Sequence, residues 1–279
     1  MKKIIKIIAG LTAIILISIL LFVANALLGN PVSKAIAQRN AEKYIEKTYP
    51  NMDLKIERVM YSFKIGDYIA LVKSPTSIDT HFDIDISLTG KILRDSYEDY
   101  VLSGWNTWQR IDWEYRKMTD KVFDGPNFPY VSHISFGSLE IKDRDVDLGA
   151  IGPSYGLLLK DLELDKNYDI KELARTVGHI TLYIGSEEVT MEKACEILLD
   201  IRNIFDKENI PFYAIDFVLE EARNSDGTPR QVSKQIEVAD FLYQDIYEEG
   251  LEDRFREAVE ALEEYYEKED AKRKELNES

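Results

Sequence analysis

Residues 7–28 carry no charged side chain, and three lysines, Lys2, Lys3 and Lys6, stand just before them. A helix rises about 1.5 Å per residue, so this run reaches about 33 Å, enough for a hydrocarbon core of about 30 Å. A segment of this kind goes into lipid or is removed, and everything after it has to fold in water. The expectation is a transmembrane anchor over residues 1–29. A cleaved secretory signal is the alternative, because Ala24-Asn25-Ala26 supplies a small-residue cleavage site after a basic start. Against cleavage, the apolar run exceeds a signal core of about 7–15 residues and continues through Leu27 and Leu28 beyond that site. The only cysteine, Cys195, lies far downstream, which excludes a lipid-modified N-terminus.

Lys34, Arg39, Lys43 and Lys47 follow the run, so the positive charge at its two ends is not strongly biased. Long domains translocate largely regardless of charge, which favours a cytoplasmic N-terminus, a single pass and an extracytoplasmic bulk. With one cysteine no internal disulfide is available, and stability there has to come from packing. Charge is unevenly spread. Residues 31–123 hold 14 Lys and Arg against 14 Asp and Glu, whereas residues 124–279 hold 18 against 37. Such a surface repels nucleic acid and anionic headgroups, so neither is a partner for the distal half.

Asn30-Pro31 is a cap and first turn for a helix whose apolar positions are Val32, Ile36, Ala37, Ala41, Tyr44 and Ile45, ending at Tyr49-Pro50. Alternation then marks strands: Val59, Tyr61 and Phe63, a turn at Gly66-Asp67, Tyr68, Ala70 and Val72, then Phe82, Ile84, Ile86 and Leu88, and a turn at Thr89-Gly90 into Ile92. Ser96 with Asp99 resembles a capping box ahead of a helix with the stripe Val101, Trp105, Trp108, Ile111, Tyr115, Met118 and Val122. Residues 30–123 therefore form a membrane-proximal α+β domain: helix, antiparallel meander, helix. Trp105 and Trp108 lie on the stripe and belong to a core, while Trp113 lies off it.

A linker at Gly125-Pro126-Asn127-Phe128-Pro129 opens a distal acidic domain, residues 124–247. It reads as a strand over 132–141, a loop-rich stretch, a short helix over 169–176, a strand over 179–184 and a helix capped by Thr190. A strand over 212–219 and a hairpin through Asp226-Gly227 back to 232–238 complete it. This pattern predicts an α/β sandwich, ferredoxin-like in outline. Residues 248–279 form an amphipathic helix with Leu251, Phe255, Val259, Leu262 and Tyr266 on one face, suited to packing on the chain's own core, and a frayed tail.

Four patterns carry possible chemistry. Gly152-Pro153-Ser154-Tyr155-Gly156 spells a nucleophile elbow, but 147–150 is not a convincing strand, 157–165 reads as a strand where a helix is required, and only His179 follows. Asp161, Glu163, Asp165, Asn167, Asp169 and Glu172 have the 1-3-5-7-9-12 spacing of a calcium loop, with Lys166 where glycine is needed. Asp143, Asp145 and Asp147 form a second acidic ladder without its closing glutamate. His81, Asp83 and Asp85 share a strand face, as the wet side of any half-buried strand would. Cys195 lies on a helix stripe as a small buried hydrophobe. His133 and His179 begin strands far from any clear partner. Read from residues alone, there are no catalytic, cofactor-binding or metal-ligating residues to name.

The runs Asn30-Pro31-Val32-Ser33-Lys34, Ala41-Glu42-Lys43-Tyr44-Ile45, Ser77-Ile78-Asp79-Thr80-His81-Phe82 and Leu102-Ser103-Gly104-Trp105-Asn106-Thr107 resemble the YfjL-like proteins of Gram-positive bacteria, uncharacterised single-span membrane proteins. More loosely, a helix ending in Tyr49-Pro50 before a meander closing on Thr89-Gly90-Lys91-Ile92-Leu93 is similar to PepSY-type extracytoplasmic regulatory domains. The first resemblance implies a membrane protein of the cell envelope and supplies no catalytic residues. The functional expectation is a non-catalytic binding or regulatory module, with membrane lipid around its N-terminal helix and another envelope protein as partner. A tethered hydrolase using Ser154 or a carboxylate site in the distal domain is the alternative.

Overall fold

The computed structural model describes residues 2–142, 155–222, 228 and 234–278, without the side chains of residues 2, 3, 5, 9, 21, 24, 26 and 276–278. The chain forms two compact units, one of residues 1–107 with 162–166, the other of residues 108–161 with 167–279. Both are α+β, as the patterning predicts.

In the first unit α1 (Lys2–Leu28) is followed after two residues by α2 (Pro31–Thr48). The described leucine, isoleucine and phenylalanine side chains of α1 are exposed. Among the described residues no helix is long and apolar enough to cross a membrane. Asn30 caps α2 as expected, its Oδ1 accepting from the N–H groups of Val32 and Ser33 at 2.8 and 3.3 Å. The small residues Ala37 and Ala41, with Ile45, let α2 lie close on one face of an antiparallel meander. That sheet runs β1 (Lys55–Ser62), β2 (Asp67–Lys73), β3 (His81–Ile86), β4 (Ile92–Asp95), each pairing with the next. Val59, Ala70, Val72, Phe82, Ile84 and Ile86 fill the space beneath α2.

Ser96 does not start α3 (Trp105–Phe123), although the Tyr100 N–H bonds to its carbonyl at 3.0 Å. The Ser96 hydroxyl is taken up at β3, accepting from the Asp83 N–H at 2.9 Å, and Asp99 pairs with Arg94 on the surface. A five-residue π turn, Glu98–Leu102, intervenes, and α3 (Trp105–Phe123) begins only after Gly104, which sits at φ +84. The chain needs this left-handed residue to redirect itself, and a helix cap cannot substitute for it. From Trp108 onward α3 belongs to the second unit, as does the proline-containing turn read as a linker.

The second unit is a four-stranded sheet in the order β5 (Ser132–Leu139), β6 (Gly178–Ser186), β7 (Ala214–Glu221), β8 (Gln235–Leu242). The outer pairs are antiparallel and the central pair, β6 with β7, is parallel. This corrects the ferredoxin-like outline. In that fold the strands joined through a helix leave a gap for a third strand, whereas here α5 (Met191–Lys207) joins immediate neighbours and the strands lie in chain order. The stretch 157–165 is also no strand: Leu157 makes one isolated bridge with Ile141, and Leu159–Asp161 is a 3₁₀ turn. Asp169 caps α4 (Ile170–Val177), and Thr190 caps α5, as the sequence indicates.

Along β6 and β7 alternate residues Ile180, Leu182, Ile184 and Ile215, Phe217, Leu219 are buried in one cluster with the stripe of α5 and with Leu251, Phe255 and Val259 of α6 (Leu251–Glu278). The final helix is therefore part of its own unit's core. Cys195 sits in this cluster, unpaired, its thiol pushed up to about 11 by burial. Phe255, fully buried, meets the rings of Phe241 and Phe217 edge-on at 5.7 and 6.4 Å. Phe255→Ala should lower unfolding free energy by about 3–5 kcal/mol in urea denaturation, while Tyr266→Ala, on the half-exposed end of the same helix, should cost less than about 1 kcal/mol. Equal effects would mean the helix is not held by this face.

Candidate functional site

Because Ile180 and Ile215 face the helices, their neighbours His179 and Asp216 face the other way. The parallel register sets His179 opposite Ala214, so Asp216 is its diagonal neighbour. A bulge completes the group: the β7–β8 register shifts between Ile215 and Phe217, leaving Ala239 and Asp240 opposite Asp216 alone. Asp240 takes a left-handed φ of +52 there, and its N–H donates to Asp216 Oδ1 at 2.8 Å. His179, Asp216 and Asp240 thus bring one ligand-competent atom each to within 4.8 Å of one another, and among the described residues they are the one such group of three.

The imidazole is buried, with Nε2 3.2 Å from Asp216 Oδ1 and Nδ1 3.5 Å from Asp240 Oδ1. Tyr155 closes the other side, its hydroxyl 2.7 Å from His179 Nδ1 and 2.8 Å from Asp240 Oδ1, its ring edge-on to Tyr213. Ser138 and Glu140 of the β5 side lie beside them, with the Ser138 hydroxyl donating to Glu140 Oε1 at 3.0 Å. The carboxylates keep about a third of their side-chain surface in water while the ring keeps almost none. Solvent reaches the group through the acids.

Electrostatics follow from this enclosure. Burial pushes the His179 imidazole down, but the Asp216 hydrogen bond and the charges of Asp216, Glu140 and Asp240 outweigh it, and the net shift is upward. Burial raises Glu140, against the opposing pull of His179. Burial and the hydrogen bond to Asp240 raise the Tyr155 phenol, which stays protonated.

The sequence motifs fall elsewhere. Ser154 and the ladder Asp143, Asp145, Asp147 lie outside the described residues, as does the turn Asp226-Gly227. Four of the calcium-loop acids, Glu163, Asp165, Asp169 and Glu172, are engaged separately. Asp165, at φ +60, accepts from Ser77 Oγ and the Asp79 N–H at 3.0 and 2.9 Å while its own N–H donates to Asp79 Oδ2 at 2.9 Å. Asp169 caps α4, Glu163 pairs with Lys166, and Glu172 pairs with Arg175. His81 is exposed and gathers no such group with Asp83 and Asp85. His133 and His179, read as lacking partners, both have them: Glu220 Oε1 lies 3.3 Å from His133 Nδ1. Trp108 donates its indole N–H to the Leu139 carbonyl at 2.8 Å, and Trp113 is exposed.

Residues 1–96 match the YfjL-like N-terminal domain and residues 114–256 the YfjL-like C-terminal domain. The chain belongs to the YfjL-like family. It is 33% identical to Uncharacterized protein YfjL of Bacillus subtilis (strain 168) over 64 residues, which is 23% of this chain and 28% of that protein, well short of the relative's full length. No solved structure matches. The polar cluster of this YfjL-like chain lies within the segment matched to the C-terminal domain, whereas the runs that first suggest the family lie mostly in the N-terminal one.

A histidine whose folded pKa is raised contributes stability that is complete below its ordinary value of 6.5 and is lost as pH rises through the folded value. Glu140 acts in the same sense at lower pH, its contribution lost as pH rises through its own raised value. In the presence of chelator, the urea midpoint should fall from about pH 6 to about pH 8, and His179→Gln should flatten that slope. A flat profile in the unsubstituted chain would contradict the charged clasp.

Proposed function

We propose that this YfjL-like protein is a single-span component of the cell envelope, with a cytoplasmic N-terminus and both units outside, that acts by binding another envelope protein and not by chemistry. The observation that carries the reading is the N-terminal helix: uncharged over 7–28, preceded by lysines, and with its described large apolar side chains exposed. Such a surface is unstable in water and at home in lipid. The join to the first unit supports a module held at the bilayer. The buried Tyr68 hydroxyl lies 2.7 Å from both the N–H and the carbonyl of Asn30. Gly29, at φ +74, has Tyr61 and Tyr68 where a Cβ would stand. Tethering raises the effective concentration of any envelope partner, so a weak interface suffices.

A carboxylate-site enzyme is the second reading, and the His179 cluster is the observation that favours it. That cluster lies at the N-terminal ends of the parallel pair, opposite to the carboxyl ends where open α/β sheets place their ligands.

Topology is tested by replacing exposed Ala261 with cysteine in a Cys195→Ser background. A membrane-impermeant maleimide should label Ala261→Cys in intact cells, and the purified protein should retain its full N-terminus. Labelling only after lysis would reverse the orientation, and a mature chain starting at Leu27 would remove the anchor.

A further inference from the structure

We propose that His179, Asp216 and Asp240 bind one divalent cation of the zinc class. The inference is independent of membrane anchoring and rests on the proton count around Tyr155. That hydroxyl has one proton and two neighbours, Asp240 Oδ1 at 2.8 Å and His179 Nδ1 at 2.7 Å. A carboxylate only accepts, so Tyr155 donates to Asp240, and the contact with Nδ1 is satisfied only if Nδ1–H donates to the phenol oxygen. This puts a proton on Nδ1 and aims Nε2 at Asp216 Oδ1, 3.2 Å away. Two electron-rich atoms at that separation need a positive centre between them, a second ring proton in the metal-free protein and a cation in its place when metal is bound. With imidazole nitrogen and carboxylate oxygen each about 2.0–2.2 Å from a zinc-class ion, near-tetrahedral angles put the two ligand atoms a little over 3 Å apart, close to what is seen.

Charge points the same way. Two carboxylates face a single imidazole, so a proton on the ring leaves an excess of negative charge in a half-buried place, while a dication balances it. Support around the ligands has the form that metal sites use. The far ring nitrogen of His179 is held by Tyr155, Asp216 accepts the Asp240 N–H, and the two acids leave an opening to solvent for entry and for water as a further ligand. One nitrogen among oxygens suits zinc or its first-row neighbours better than calcium or magnesium, which take oxygen alone. The three ligands come from three adjacent strands, so the site forms with the sheet and does not depend on a mobile loop.

The experiment is zinc titration of the full-length chain in detergent micelles after chelator treatment, read by isothermal calorimetry and by melting temperature. The expected result is one tight equivalent and a higher melting temperature, undiminished by millimolar magnesium. Asp216→Asn and Asp240→Asn should each weaken that equivalent about tenfold or more, and the double variant His81→Gln with His133→Gln should leave it intact. X-ray absorption of the zinc-loaded, unsubstituted protein gives a readout that needs no variant at the site: one imidazole at about 2.0 Å with oxygen neighbours. Binding that survives in both asparagine variants, or an absorption spectrum with no imidazole, would overturn the site, and so would no tight equivalent at all.

Discussion

The second unit depends on the parallel pairing of β6 with β7 in a fixed register. A parallel pair needs a crossover, α5, and the crossover has to cover one face of the sheet. Alternation then decides everything else. Ile180, Leu182 and Ile184 with Ile215, Phe217 and Leu219 go beneath α5 and α6, and the residues between them go to the opposite side. A slip of one residue in β6 would carry His179 into the apolar layer and Ile180 out of it, at a cost no local adjustment recovers. The position of His179 beside Asp216 is thus a by-product of how the core is built, and only Asp240 needs a device of its own, the bulge.

What was legible in the sequence follows the same division. Amphipathic periods locate α2, α5 and α6, strand alternation locates β1 to β3 and β6, and caps written in residue type, Asn30, Asp169 and Thr190, sit where expected. The capping-box spacing of Ser96 and Asp99 does not mark the start of α3, because a serine hydroxyl bonds equally well to a neighbouring strand, and Gly104 decides the matter. Sheet order departs from the ferredoxin-like expectation because helix and strand succession is compatible with several orders, and only long-range pairing chooses among them. The His179 cluster was invisible for a related reason. Its members are distant in sequence, one sits in a bulge, and no spacing rule links them. A faint signal exists: an acid at the third position along β7, between Ile215 and Phe217 and off their apolar phase, marks a polar spot on an otherwise buried strand.

The acidic spacing from Asp161 to Glu172 illustrates the opposite error, a regular pattern without a common site. Carboxylates are good acceptors for backbone N–H groups, and this stretch uses them in that way. Asp165 and Asp79 each accept the other's amide, a reciprocal clasp that fastens residues 162–166 within the first unit. Asp79 is almost wholly buried and also accepts from the Thr107 hydroxyl at 3.0 Å, so its charge is compensated by donors and needs no ion. Here the acids hold the chain together.

The acids around His179 are a poor way to stabilise a sheet. A half-buried ion cluster is seldom better than apolar side chains of the same size, since removing charge from water costs about as much as the pairing returns. Asp240 adds the strain of a left-handed non-glycine residue, about 1–2 kcal/mol. Packing could have filled this face with the residue types already used in abundance on the other. A fold that carries strain, buried charge and a phenol clamp at one spot is arranged around what the spot holds. The aqueous opening between Asp216 and Asp240 is where that occupant enters.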